Sequence, residues 1–237
     1  MLSSNLAAFA ATLALALLWL RINDFAAHRG WIESHTSRKI IHIGTGPLFV
    51  LCWFLFPPTP ESRFVAALVP LAITLQFALV GTGLLKDPAA VQAMTRTGDR
   101  REILRGPLFY GLVFIALTLV YWKDHPAGMT ALMLMCGGDG LADLVGRRYG
   151  KARLPWNPRK SWAGSLGMFA GGWLCAAAVL AVYLRAGVFP GPVGGYLGPL
   201  ALISLAGMLV ETLPLQDVDN ITVTVTAALL GQLLLPV

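Results

Sequence analysis

The chain has 237 residues, 56% of them hydrophobic and only 13% charged, with a mean hydropathy of +0.67, against roughly 25% charged residues in an ordinary soluble domain. That much apolar side chain exceeds what an interior of this size can hide, which excludes a water-soluble globule, a disordered chain and a fibre, and makes lipid the solvent for much of the surface. Cys52, Cys136 and Cys175 lie isolated in apolar runs, so they read as packing residues and not as a disulfide scaffold.

About 20 apolar residues cross a bilayer as a helix, and uncharged stretches of that order predict spans at 1–20, 40–60, 64–85, 106–122, 127–145, 162–184, 196–210 and 221–237. No basic residue precedes the first apolar stretch and no small-residue cleavage pattern follows it, so it is read as a retained helix and not as a signal peptide. The fifth span is apolar except for Asp139 and Asp143, and the seventh is broken up near its start by Gly194, Gly195, Gly198 and Pro199. These runs are too long and too unalternating for barrel strands. The expected fold class is all-α: a polytopic integral membrane helical bundle of about eight transmembrane helices, a single membrane domain over 1–237 with the lipid bilayer as its partner.

Charge supplies orientation. Arg21, Arg29, Arg38 and Lys39 follow the first span, Lys86, Arg96, Arg100, Arg101 and Arg105 the third, and Arg147, Arg148, Lys151, Arg153, Arg159 and Lys160 the fifth; the alternate loops hold only Arg63, Lys123 and Arg185. Thus 15 of 18 bases share one side, which the positive-inside rule makes cytoplasmic, with both termini outside and the cell (inner) membrane as the expected location. The loop after the seventh span shares that side yet carries only Glu211, Asp217 and Asp219, an acidic loop facing two basic ones. The net charge of +6 serves topology and contact with anionic headgroups. With no soluble basic face and interleaved aromatics, nucleic acid is not an expected partner.

Asp139 and Asp143 lie at i and i+4, on one helical face near the basic end of the fifth span. A carboxylate there is costly unless it is paired or in a wet cavity, so the pair marks a functional site, or else two helix-end acids bridged to Arg147 or Arg148. The surrounding run, Gly137-Gly138-Asp139-Gly140-Leu141-Ala142-Asp143 and then Gly146-Arg147-Arg148-Tyr149-Gly150-Lys151, combines glycines that admit close backbone approach with cations that suit phosphate oxygens. This points to a polyphosphate site over about 137–165. It is not a Walker A loop, because Gly146 and Gly150 are too close and Ala152 follows Lys151. Gly167-x-x-x-Gly171 reads as a helix-packing contact.

The run from Gly138 to Gly150, with Pro155-Trp156-Asn157, Lys160-Ser161 and Gly164-Ser165, resembles the nucleotide-binding signature of the CTP-dependent polyprenol kinases, the phytol kinase branch above all. Agreeing stretches are Arg38-Lys39-Ile40-Ile41-His42, Thr97-Gly98-Asp99 with Glu102 to Leu108, and Glu211-Thr212-Leu213-Pro214 with Asp219 to Val223, so the resemblance spans about 38–226. Thr224, where such kinases often carry Pro, and Trp156, where Tyr is commoner, depart from the pattern without removing a charge.

The resemblance implies phosphoryl transfer from a nucleoside triphosphate, CTP, to the hydroxyl of an isoprenoid alcohol such as phytol, farnesol or a polyprenol. Such a reaction needs Mg²⁺ held by carboxylates, cations on the phosphates and an acceptor for the hydroxyl proton. Asp139 and Asp143 are the metal-ligand candidates; Arg147, Arg148, Lys151 and Lys160 are the phosphate clamps, joined by Arg105 and Arg101. Gly138, Gly140, Gly146, Gly150, Asn157 and Ser161 complete the nucleotide set, while His42, Glu211 and Asp219 compete for the base or second ligand role. The rival of nearest chemistry is a CTP:phosphatidate cytidylyltransferase, whose nucleophile is already anionic and needs no base. A non-enzymatic transporter is a second rival, disfavoured because the charges gather at one face and no inverted repeat is visible.

Overall fold

Inside a bilayer every backbone polar group must be satisfied within its own segment, so apolar runs of this length fold as helices. The computed structural model describes residues 2, 4–95, 97–214 and 219–236. Among these residues it contains seven helical segments long and apolar enough to cross a membrane and one shorter apolar helix at the C-terminal end, the polytopic helical membrane protein expected. Leu6, Phe64, Leu75, Leu166, Leu202 and Leu229 are exposed, outward apolar surface that suits lipid and not water.

The chain divides into two compact units, one of residues 1–41 and 52–119, the other of 42–51 and 120–237. The first holds α1 (Asn5–His28), the start of α2 (Ser34–Cys52), α3 (Ser62–Thr82), α4 (Pro88–Met94) and α5 (Gly106–Val120). α1 runs eight residues past the expected end at Leu20, since neither Arg21 nor Asn23 breaks a helix; Asn23 Nδ2 donates back to the Trp19 carbonyl at 2.8 Å. The basic stretch after α3 is not a loose loop. Asp87 caps α4 by accepting from the Ala90 N–H at 2.9 Å, and Asp99 caps a 3-10 turn, Arg100–Leu104, by accepting from the Arg101 N–H at 2.9 Å.

The second unit is built around one interrupted span: α6 (Pro126–Met133), a π turn (Leu134–Gly138) and α7 (Asp139–Tyr149). Of its apolar window 72% lies inside the protein, against 44% or less in the other six spans, so it is solvated by protein and can carry an acid that lipid would not accept. Around it stand the second part of α2, α8 (Trp162–Arg185), α9 (Val193–Glu211) and α10 (Asp219–Leu234). α9 continues unbroken through Gly194, Gly195, Gly198 and Pro199. α7 and α8 meet almost backbone to backbone: a methyl group on Gly146 would stand 3.4 Å from the Gly164 Cα, and one on Gly167 would stand 2.9 Å from the Leu141 carbonyl oxygen. This is the small-residue contact expected of Gly167 and Gly171. Tyr183 on α8 donates to the Val50 carbonyl at 2.6 Å, satisfying an acceptor in the last turn of α2. The three cysteines are free thiols, Cys52 and Cys136 buried and Cys175 half-buried.

Candidate active site

Four structural devices bring the functional side chains together at one end of the second unit. The π turn is the first. An extra residue in the helical turn rotates the downstream residues about the axis, and such bulges recur at functional sites; here the next residue is Asp139. Its Oδ2 lies 3.3 Å from His42 Nε2, and the same nitrogen lies 3.1 Å from the Met135 carbonyl oxygen within the turn. A carbonyl only accepts, so Nε2 carries the hydrogen and donates. Gly140, against Ile43, lets α2 approach closely enough for this contact, since any side chain there would overlap Ile43.

A short hairpin is the second device. β1 (Arg153–Leu154) pairs antiparallel with β2 (Asn157–Ser161), with Leu154 opposite Asn157 and Arg153 opposite Ser161. Asn157, buried, donates Nδ2 to the Thr212 carbonyl at 3.1 Å and to the Leu213 carbonyl at 3.4 Å, tying the hairpin to carbonyls left unpaired at the end of α9. Ser161 caps α8, its Oγ accepting from the Gly164 N–H at 3.1 Å. Between these two anchors, Lys160 is presented to Glu211, the last residue of α9, and donates Nζ to Glu211 Oε1 in an ion pair whose carboxylate is only 4% exposed.

α9 and α10 supply the rest. Asp139 and Glu211 line one narrow pocket together with Met135, Asn220 and Val223. His42, Asp139, Lys160 and Glu211, four residues singled out by type and position, thus form two bonded pairs on a shared pocket. Asp143 goes elsewhere: its Oδ1 accepts from Arg147 Nε at 3.2 Å, the helix-end bridge weighed as its other reading. Arg148 lies over the Tyr149 ring, 5.6 Å from its centre, and Lys151 is exposed. Gly138 faces Met168 and Gly150 faces Ser161, so both are in close packing contact. Arg105 and Arg101 belong to the first unit, where the Arg105 N–H donates to the Glu102 carbonyl at 3.1 Å. Asp219 opens α10, and its side chain, like all of Asp217 and Arg96, lies outside the described residues.

Sequence reasoning missed Met135, Val223 and the role of Asn220. Asn220 and Val223 sit with Asp219 in a stretch that carries the resemblance, which was their one signal; Met135 carries none. The donor set suits a hard cation. Mg²⁺ binds proteins through one or two carboxylates and completes its shell with phosphate oxygens and water, and among the described residues no three His, Cys, Asp or Glu side chains form an all-protein cage.

A rice (Oryza sativa subsp. japonica) protein named probable phytol kinase 1, chloroplastic, is 44% identical over 217 residues, covering 91% of this chain and 69% of its own. Phytol kinase 1, chloroplastic, of Arabidopsis thaliana is 39% identical over 207 residues, covering 86% and 68%. The chain belongs to the phytol kinase branch of the prenol kinase family. Farnesol kinase, chloroplastic, of Arabidopsis thaliana, 38% identical over 233 residues and covering 98% and 76%, places a second prenol kinase among the relatives. No protein-family model and no solved structure matches this family member.

Proposed function

We propose that this prenol kinase family member transfers the γ-phosphoryl group of CTP to the hydroxyl of an isoprenoid alcohol such as phytol or farnesol, lying in the bilayer. The kinase class and the isoprenoid acceptor follow from its relatives; the nucleotide, the metal and the residue roles are our assignment. The observation that carries it is the sharing of one pocket by Asp139 and Glu211, with Lys160 bound to Glu211, at the end of a span encased in protein.

Phosphoryl transfer asks a protein mainly for positioning and charge neutralisation. Lys160, with Arg147, Arg148 and Lys151 near the same end, neutralises the phosphates. Asp139 would hold Mg²⁺, which when bound would neutralise charge on the phosphoryl oxygens; Asp143 holds Arg147. His42 orients Asp139. The alcohol oxygen forms a bond to the γ-phosphorus as the bond from that phosphorus to the β–γ bridging oxygen breaks, CDP leaves with the electron pair, and the hydroxyl proton passes to Glu211. We place this site on the cytoplasmic face of the cell membrane, with both termini outside, from the distribution of basic residues.

Cytidylyl transfer and transport are not favoured, because the relatives are kinases by name. The nucleotide assignment is tested by offering the purified protein phytol, Mg²⁺ and CTP, ATP, GTP or UTP in turn and measuring prenyl monophosphate by mass spectrometry. CTP should give the highest kcat/KM; a preference for ATP would overturn the assignment.

A further inference from the structure

The pocket has a polar and an apolar side. Two helical segments each place a polar lining residue and, one turn further from the connecting loops, an apolar one: Asp139 with Met135 at i−4, and Asn220 with Val223 at i+3. Glu211 joins the polar side, its pair with Lys160 bringing the end of α9 to the hairpin that follows α7. Gly207, one turn before Glu211, lets α9 pack closely here, since a methyl group on it would stand 3.6 Å from Val223 Cγ1 and 2.8 Å from Leu134 Cδ2. Met135 is fully buried and Val223 is 3% exposed, so the apolar side is dry.

A phosphate-binding cleft has no use for such a wall, whereas a lipid alcohol has this same polarity along its length: one hydroxyl, then hydrocarbon. The polar side accepts the hydroxyl because the carboxylates and the carboxamide satisfy it, and the dry apolar side accepts the adjoining carbons at about 25 cal/mol for each Å² removed from water. Resting on the kinase reading above, we infer that Met135 and Val223 form the subsite for the first isoprene unit of the acceptor alcohol, with Asn220 beside its hydroxyl. The rest of the chain then extends along α9 and α10 into lipid. Val223 is the residue that sets how much branching next to the hydroxyl-bearing carbon fits.

Two measurements on the full-length protein in nanodiscs separate the subsite from the kinase reading. In the first, a farnesol analogue with a diazirine on its first isoprene unit is photolysed without nucleotide; the label should fall on the peptides holding Met135 and Val223, and label confined to other helices would overturn the subsite whether or not the protein is a kinase. In the second, V223F and V223A are compared with wild type. V223F, whose ring fills the subsite, should raise the KM for farnesol and phytol about tenfold or more, equivalent to ~1.4 kcal/mol, with the nucleotide KM unchanged. V223A, the milder change should V223F fail to fold, should improve acceptance of an alcohol with a second methyl branch near the hydroxyl relative to farnesol. An active wild type with variants of unaltered alcohol KM and selectivity would overturn the subsite and leave the kinase standing. Correct photolabelling with no phosphoryl transfer by wild type would do the reverse.

Discussion

His42 on α2 holds Asp139 on α7 through Nε2, 3.3 Å from Oδ2, while the same nitrogen faces the Met135 carbonyl oxygen at 3.1 Å. With its hydrogen committed to two acceptors, that nitrogen is an orienting donor and not a proton acceptor. Replacing His42 by Ala should therefore cost about 10–100-fold in activity and weaken the response to limiting Mg²⁺, the range seen when a residue behind a metal ligand is lost. Gln places an amide N–H near the Nε2 position, so H42Q should recover most of that loss. Inactive H42Q in a folded protein, with H42A equally inactive, would make His42 the base instead. D139N, which removes the charge and leaves the volume, should abolish turnover without unfolding the protein; full activity at limiting Mg²⁺ would contradict its role.

Lys160 serves the nucleotide and also neutralises Glu211. K160A should raise the apparent CTP KM and lower kcat, because a cation on the phosphates acts in both the bound and the transition state. It should also lower thermal stability, by about 1–3 kcal/mol, less than a wholly dry pair would lose because the Lys160 side chain is 28% exposed. In K160A/E211Q the stranded charge is gone, so thermal stability should return while activity does not. Recovery of activity in the double variant would take both Lys160 and Glu211 out of the chemistry.

The spans were legible because hydropathy averages over some 20 residues and tolerates local exceptions such as Pro199 within α9. Their ends were less so: α1 continues to His28 through Arg21, Asn23 and Asp24, because a charge ends an apolar run without ending a helix. The hairpin escaped notice because β1 has two residues, too few for any alternation to register, and its stability comes from Asn157 reaching α9. At the site, the residue types were readable and the partnerships only when local. Asp143 with Arg147 is an i,i+4 pair visible on a helical wheel, whereas Lys160 and Glu211 are 51 positions apart and meet only through the fold. The π turn that aims Asp139 is a tertiary effect with no local pattern to announce it.

His125 predicts a pH effect on stability away from the site. It caps α6, Nδ1 accepting from the Ala127 N–H at 3.1 Å, and its burial pushes its pKa below the ordinary value near 6.5. The unfolded chain thus takes up the proton first as pH falls, so this contribution is intact above about 6.5 and declines below it, until the folded protein also protonates. Thermal melts in detergent should show a Tm that drops below pH 6.5 in wild type and less steeply in H125N, which keeps a capping acceptor without a titrating ring. Identical slopes would show that His125 does not set this pH dependence.

Topology is checked by single cysteines at Thr97, Pro158 and Leu213, all exposed, in a variant lacking Cys52, Cys136 and Cys175. An impermeant maleimide applied to sealed cells should leave all three unlabelled, and label them once the membrane is opened. Labelling of position 213 alone from outside would mean that α9 does not cross, and would take Glu211 away from the cytoplasmic nucleotide.

Whether this prenol kinase family member moves the terminal phosphoryl group of the nucleotide is decided by following two labels at once. Purified protein is given CTP labelled separately at the α- and γ-phosphorus, with phytol, farnesol, a longer polyprenol, diacylglycerol and phosphatidate offered in turn. Phosphoryl transfer at the Asp139–Glu211 pocket predicts γ label in the isoprenoid lipid, none from α, and CDP released in equal amount. Label from α entering phosphatidate, or no label entering any alcohol, would contradict it.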